Sequence, residues 1–209
     1  MKRMELPNRI FLIGYMGSGK TSVSKILSKL TGFRYIDMDY EIEKAESMSV
    51  RNIFMKYGEH EFRNKEAELL DVICNVTSAA DIMAGEKITA QKNTTKANKY
   101  NAFVNIKEPL IVSCGGGIIL DELNRIILKN QCTVFLEADP ELLFQRINGD
   151  TNRPYAYMDI SDENERKLRF LELYKKRAPL YKETASIIIQ TNGKSPETIS
   201  KEILNQLQK

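Results

Sequence analysis

Lys20 and Thr21 close the run GYMGSGKT, in which Gly14, Gly19, Lys20 and Thr21 complete the pattern G-x-x-x-x-G-K-[ST]. The chemistry of such a run is phosphate binding. Glycines let the backbone curl until successive N–H groups face one centre, and a helix beginning there adds its positive end. The Lys20 charge can follow a phosphoryl group in transfer, and the Thr21 hydroxyl suits Mg²⁺. Gly17, Ser18, Gly19, Lys20, Thr21 and Ser22 are therefore expected to hold a nucleotide's phosphates. A GTP switch would also carry N-K-x-D, but NKEA and NKYN lack the aspartate. A motor would carry an apolar strand ending in an acidic pair, whereas LIVSC ends in Gly115, Gly116 and Gly117.

A second group of residues could serve an acceptor. Asp37 and Asp39 in IDMD stand two apart, on one face if the stretch is a strand. One carboxylate could hold Mg²⁺ through water while the other accepts a hydrogen bond from a hydroxyl. The same pair also suits a turn or helix cap ahead of YEIEKAE. The glycine triplet implies that backbone passes close to something. Arg63 and Arg177, met alone, read as solvated surface arginines. His60 is given no catalytic role.

The elements around these residues follow from periodicity. RIFLI reads as a buried parallel strand, and Val23, Ile26, Leu27 and Leu30 form one face of a helix ended by Gly32. FRYIDMD is a second strand. Ser49 caps a helix that stops at Gly58, and the chain continues helically from there to Val76. LIVSC, CTVFLEA and SIIIQT complete the strands. Asp139-Pro140 and Ser195-Pro196 open helices, and a further helix over 162–185 bends near Pro179. Residues 77–108, rich in Thr, Asn, Ala and Lys, read as a solvated insertion. NGDTNRPYAYM reads as a polar, flexible stretch over about 148–158. Alternating strands and helices predict an α/β fold: one domain over 1–209 built on a parallel sheet covered on both faces.

The 209 residues carry 31 basic and 28 acidic side chains, a net +3 without basic runs, so neither nucleic acid nor a membrane surface is the expected partner. No apolar stretch approaches membrane-spanning length. The apolar run near the start feeds directly into the phosphate loop, which implies a structural strand and a cytoplasmic protein. Cys74, Cys114 and Cys132 are scattered, which fits reduced thiols.

GYMGSGKT, IDMD, GEHEFRNKE, CGGG, NRP and KKRAPLY stand in an order and spacing that resembles the shikimate kinases, over nearly the whole chain apart from 77–108. The resemblance implies a five-stranded parallel sheet of the nucleoside-monophosphate-kinase type. It also implies ATP-dependent, Mg²⁺-dependent phosphorylation of the 3-hydroxyl of shikimate; a monomer is expected. Carried onto this chain, Asp39 is the hydroxyl-binding carboxylate and Asp37, with Thr21, is on the magnesium side. Arg63 and Arg177 hold the substrate carboxylate, and Gly115, Gly116 and Gly117 lie against its ring. Arg153 is the lid arginine, catalytic beside Lys20 and Asp39, and Arg146 is a second nucleotide-side arginine. Near the last strand the chain departs from the family's arginine: Gly193 and Lys194 stand there, and lysine does not replace a stacked guanidinium. A related kinase of another polyol acid, such as gluconate, and a non-catalytic nucleotide-binding module are the competing readings.

Overall fold

Ile10, Phe11, Leu12 and Ile13 are all fully buried in β1 (Arg9–Ile13), so this strand has a core on each side and must be central. It pairs in parallel with β3 (Leu110–Ser113) on one edge and β4 (Cys132–Glu137) on the other. β2 (Arg34–Asp37) lies outside β3 and β5 (Ile187–Gln190) outside β4, giving five parallel strands in the order β2-β3-β1-β4-β5. The structure, a computed structural model, describes residues 6–75, 99–103, 106–148 and 160–208.

Among the described residues seven helices cover the two faces: α1 (Lys20–Thr31), α2 (Met38–Glu46), α3 (Val50–Cys74), α4 (Glu122–Lys129), α5 (Pro140–Ile147), α6 (Glu163–Thr184) and α7 (Pro196–Leu207). Ile10 and Leu12 pack with Val23 and Leu27 of α1 and Ile199 and Ile203 of α7. Phe11 and Ile13 pack on the opposite face with Ile42, Leu69, Leu128 and Phe170, from α2, α3, α4 and α6. No helix among the described residues is long and apolar enough to cross a membrane.

The punctuation expected from sequence is present. Gly32 ends α1 in the left-handed region (φ 76°), Ser49 accepts from the Asn52 N–H, and Asp139 and Ser195 cap helices that begin with proline. Gly58 (φ 84°, ψ 167°) breaks α3 into two arms. α6 runs through Pro179 as one helix.

Three expectations are corrected. Leu30 is half exposed; the buried residues of α1 are Lys20, Val23, Ser24 and Leu27. β2 stops at Asp37, which caps α2 and accepts the Tyr40 N–H at 3.4 Å, so Asp39 stands in a first helical turn and not on a strand. Residues 99–103, inside the expected solvated insertion, bury Tyr100 and Phe103 in the core, and Lys99 reaches Glu46 at 2.8 Å. Residues 76–98 and 104–105 lie outside the described residues.

Candidate active site

The C-terminal ends of β1, β2 and β3 converge where the strand order turns back through β1, the place where open α/β sheets bind ligands. Two cavities open there. One, of about 290 Å³, is lined by Gly17, Gly19, Lys20, Thr21, Ser22 and Arg146. The other, of about 320 Å³, is lined by Arg63, Arg177, Gly117, Phe54, Phe62 and Glu66. Thr21, Asp37, Asp39 and Gly116 line both, so the two spaces meet at these residues.

The first cavity is built by the turn from β1 into α1. Gly14 is needed for space as well as backbone freedom: a Cβ there would stand 2.9 Å from the Leu136 carbonyl oxygen. Gly17 (φ 79°) and Gly19 (φ 88°) take conformations that glycine tolerates. Lys20 is nearly buried, and its Nζ donates to the Gly14 and Tyr15 carbonyls at 2.7 and 3.1 Å. Ser18 is buried against the loop. Arg146, in the last turn of α5, donates to the Gly17 carbonyl at 3.1 Å, which brings it beside the phosphate loop. Thr21 Oγ1 donates to Asp37 Oδ2 at 2.9 Å, and the Tyr35 hydroxyl donates to the same oxygen at 3.0 Å. Burial first, then the Asp37 carboxylate, pushes the Tyr35 phenol up, so it remains a donor.

A hydroxyl and a carboxylate sharing one spot are hard oxygen ligands. Thr21 and Asp37 thus fit Mg²⁺, which takes one or two side chains and completes its shell with phosphates and water. Among the described residues no group of three or more His, Cys, Asp or Glu is placed to hold a metal ion.

The second cavity is built around Arg63. Its Nε and Nη2 donate to Glu59 Oε1 at 3.2 and 2.9 Å, and its Nη1 donates to Glu66 Oε2. The guanidinium also lies 5.7 Å from the Phe54 ring centre and 5.4 Å from that of Phe62. Burial opposes its charge, but the two carboxylates outweigh burial and hold it protonated. Arg177 reaches the same cavity from α6, 5.6 Å above the Tyr15 ring. One turn on, Tyr181 donates its hydroxyl to the Gly116 carbonyl, so a single helix face both supplies an arginine and pins the glycine triplet.

The triplet makes room for the protein's own side chains as well as for a ligand. A Cβ on Gly117 would lie 2.1 Å from the Arg63 guanidinium carbon. A Cβ on Gly115 would lie 2.1 Å from Glu66 Oε1 and 2.7 Å from Asp39 Oδ1. Gly116 and Gly117 line the second cavity; Gly115 is buried beneath the two carboxylates and lines neither.

Of the residues expected from sequence, the two cavities gather Gly17, Gly19, Lys20, Thr21, Ser22, Asp37, Asp39, Arg63, Gly116, Gly117, Arg146 and Arg177. Arg153 and the lid-like residues 149–158 lie outside the described residues. Lys194 pairs with Glu202 at 2.8 Å. Sequence reasoning missed Glu66, along with the apolar wall of Met16, Phe54 and Phe62. Glu66 is fully buried, and burial, opposed by Arg63 and reinforced by Asp39, pushes its carboxyl up to about 7. Its three-residue spacing from Arg63 on a helix was the available signal.

A family model described as shikimate kinase matches residues 16–104 and 94–208. A shikimate kinase of Thermodesulfovibrio yellowstonii is 33% identical over 96% of this chain and 95% of its own length. That of Persephonella marina is 34% identical over 95% of this chain and 98% of its own. Among solved structures, shikimate kinase from Acinetobacter baumannii in complex with shikimate matches with a TM-score of 0.75 at 30% identity, covering 98% of this chain and 94% of that one.

Proposed function

The chain belongs to the shikimate kinase family, an enzyme that transfers phosphate to an alcohol, and we propose residue by residue how it moves the terminal phosphoryl group of ATP to the 3-hydroxyl of shikimate. The observation that carries the assignment is the meeting of the two cavities. Phosphate-binding residues line one, a pair of arginines lines the other, and Asp39 stands where they join.

Shikimate has one carboxylate, three hydroxyls and a small ring. Guanidinium forks suit the carboxylate, which assigns it to Arg63 and Arg177. The bare backbone of Gly116 and Gly117 and the rings of Phe54 and Phe62 suit the carbocycle. Bound in this sense, the ring directs a hydroxyl toward Asp39 and the adjoining phosphate cavity. The hydroxyl oxygen attacks the terminal phosphorus, the bond to the bridging oxygen of ADP breaks, and the hydroxyl proton passes to the Asp39 carboxylate. Little covalent work falls to the protein; alignment and charge stabilisation are its share. Lys20 exchanges its loop carbonyls for phosphate oxygens, and Arg146 adds charge on the same side. Thr21 and Asp37 would hold Mg²⁺, which would reduce the negative charge the nucleophile must approach.

ADP release in a coupled assay tests this with shikimate, quinate, gluconate and AMP as sole acceptors. Shikimate is expected to give the fastest release. Faster release with gluconate or AMP would overturn the acceptor assignment.

A further inference from the structure

Among the described residues Glu66 is the one fully buried carboxylate of the acceptor cavity, and its two oxygens are used differently. Oε2 receives Arg63 Nη1, whereas Oε1 is buried without a hydrogen-bond partner. Oε1 and Asp39 Oδ1 flank the same point above Gly115, at 2.1 and 2.7 Å from it, so the two carboxylates stand less than about 5 Å apart. Arg63 is shared with a third carboxylate, Glu59, whose side chain is half exposed.

These three carboxylates answer differently to a fourth. An acid that takes Arg63 needs the Nε and Nη2 edge, which Glu59 now occupies. Glu59 can swing into water. Glu66 cannot, because its side chain is fully buried with Oε1 packed against Gly115. A buried charge that must share its counter-ion with a second desolvated anion, in place of the half-exposed Glu59, and cannot move becomes neutral instead. We infer that Glu66 is a proton-holding positioning residue: when the carboxylate of shikimate engages Arg63, Glu66 takes up one proton from solvent, so acid binding and Glu66 protonation are linked. This rests on the assignment of the shikimate carboxylate to Arg63. Oε1 receives the proton, on the side facing Asp39.

The groups facing Glu66 leave it as the responsive one. Arg63 and Glu59 lie on its own helix, Asp39 on α2, Cys114 at the end of β3, and Tyr181 on α6 with Arg177 acting on it. Burial pushes Cys114 and Tyr181 well up, so both are neutral near pH 7 and neither supplies charge. Burial likewise brings Glu66 to about 7 in the ligand-free protein, and a desolvated anion on Arg63 in place of the half-exposed Glu59 raises it further. Affinity for shikimate is then constant well below pH 7. It falls as pH rises from about 7 through the value in the complex, by at most about tenfold per pH unit for one proton.

Two measurements test this. Carbon-13 NMR of the ligand-free wild-type protein, with the Glu66 carboxyl assigned through its backbone, is expected to give a midpoint near neutral pH. A midpoint in the ordinary glutamate range overturns the inference. Calorimetry of shikimate binding at pH 7, in phosphate and in Tris, is expected to show net proton uptake, at most one per shikimate bound. Glu66→Gln is expected to bind shikimate with no uptake, and the wild-type comparison carries the test by itself. Binding without uptake in the wild type overturns the linkage alone. Absence of shikimate binding overturns the acceptor assignment together with the linkage, while the NMR midpoint still judges whether Glu66 holds a proton.

Discussion

Arg63 holds Glu66 in the core and faces the acceptor cavity, so removing it has two consequences, whereas Arg177 gives a cleaner test of the carboxylate clamp. A charge-assisted hydrogen bond contributes about 1.5–3 kcal/mol. Arg177→Ala is expected to weaken shikimate roughly tenfold to a hundredfold and leave ATP affinity within about threefold. Titrating both ligands checks this; a loss confined to ATP would put Arg177 on the wrong side of the site. Arg63→Ala is expected to lower stability as well, because Glu66 loses its cation. At this scale the sequence made the phosphate loop legible, since its function lies in consecutive residues. Glu66 was not legible: in RNKEAE it reads as one more solvated charge, and only the turn of α3 beneath Gly115 makes it a buried partner of Asp39.

Elements decide where these side chains can go, and the glycine triplet after β3 is the tightest example. Gly117 has φ −107°, which alanine adopts without strain, so Gly117→Ala acts through space alone. Its Cβ would meet the Arg63 guanidinium at 2.1 Å and push it out of place. The expected outcome is a rise in KM for shikimate of about tenfold or more with little change in KM for ATP. Steady-state kinetics over both substrates read this directly. Equal effects on both would mean that the loop serves the nucleotide too. Three glycines in a row were visible as a demand for room, but the occupants were not, because they come from α2 and α3. The strand and helix bodies were legible from apolar spacing, and their ends from Ser49, Asp139, Ser195, Gly32 and Gly58. The end of β2 was not: Asp37 serves at once as last strand residue and helix cap, so IDMD could be read either way.

Across the whole molecule, two cores on either side of the sheet carry a site that sits at one edge of both. Tyr100 and Phe103 show how a polar-looking stretch can still anchor the larger core. Two isolated aromatics have no period to detect, and they were passed over for that reason. Phe103→Ala is expected to cost about 3–5 kcal/mol of stability while leaving KM for both substrates near wild type, since Phe103 lines neither cavity. Denaturant unfolding beside kinetics checks it, and a loss of activity at full stability would tie residues 99–103 to the site. The cavities meet at Asp39, whose carboxylate is proposed to orient and deprotonate the acceptor hydroxyl. Turnover of Asp39→Asn, measured on protein shown to be folded and to bind ATP and shikimate, tests that most directly. The account predicts a fall of about 10² or more with both affinities within about threefold; turnover close to wild type would contradict it.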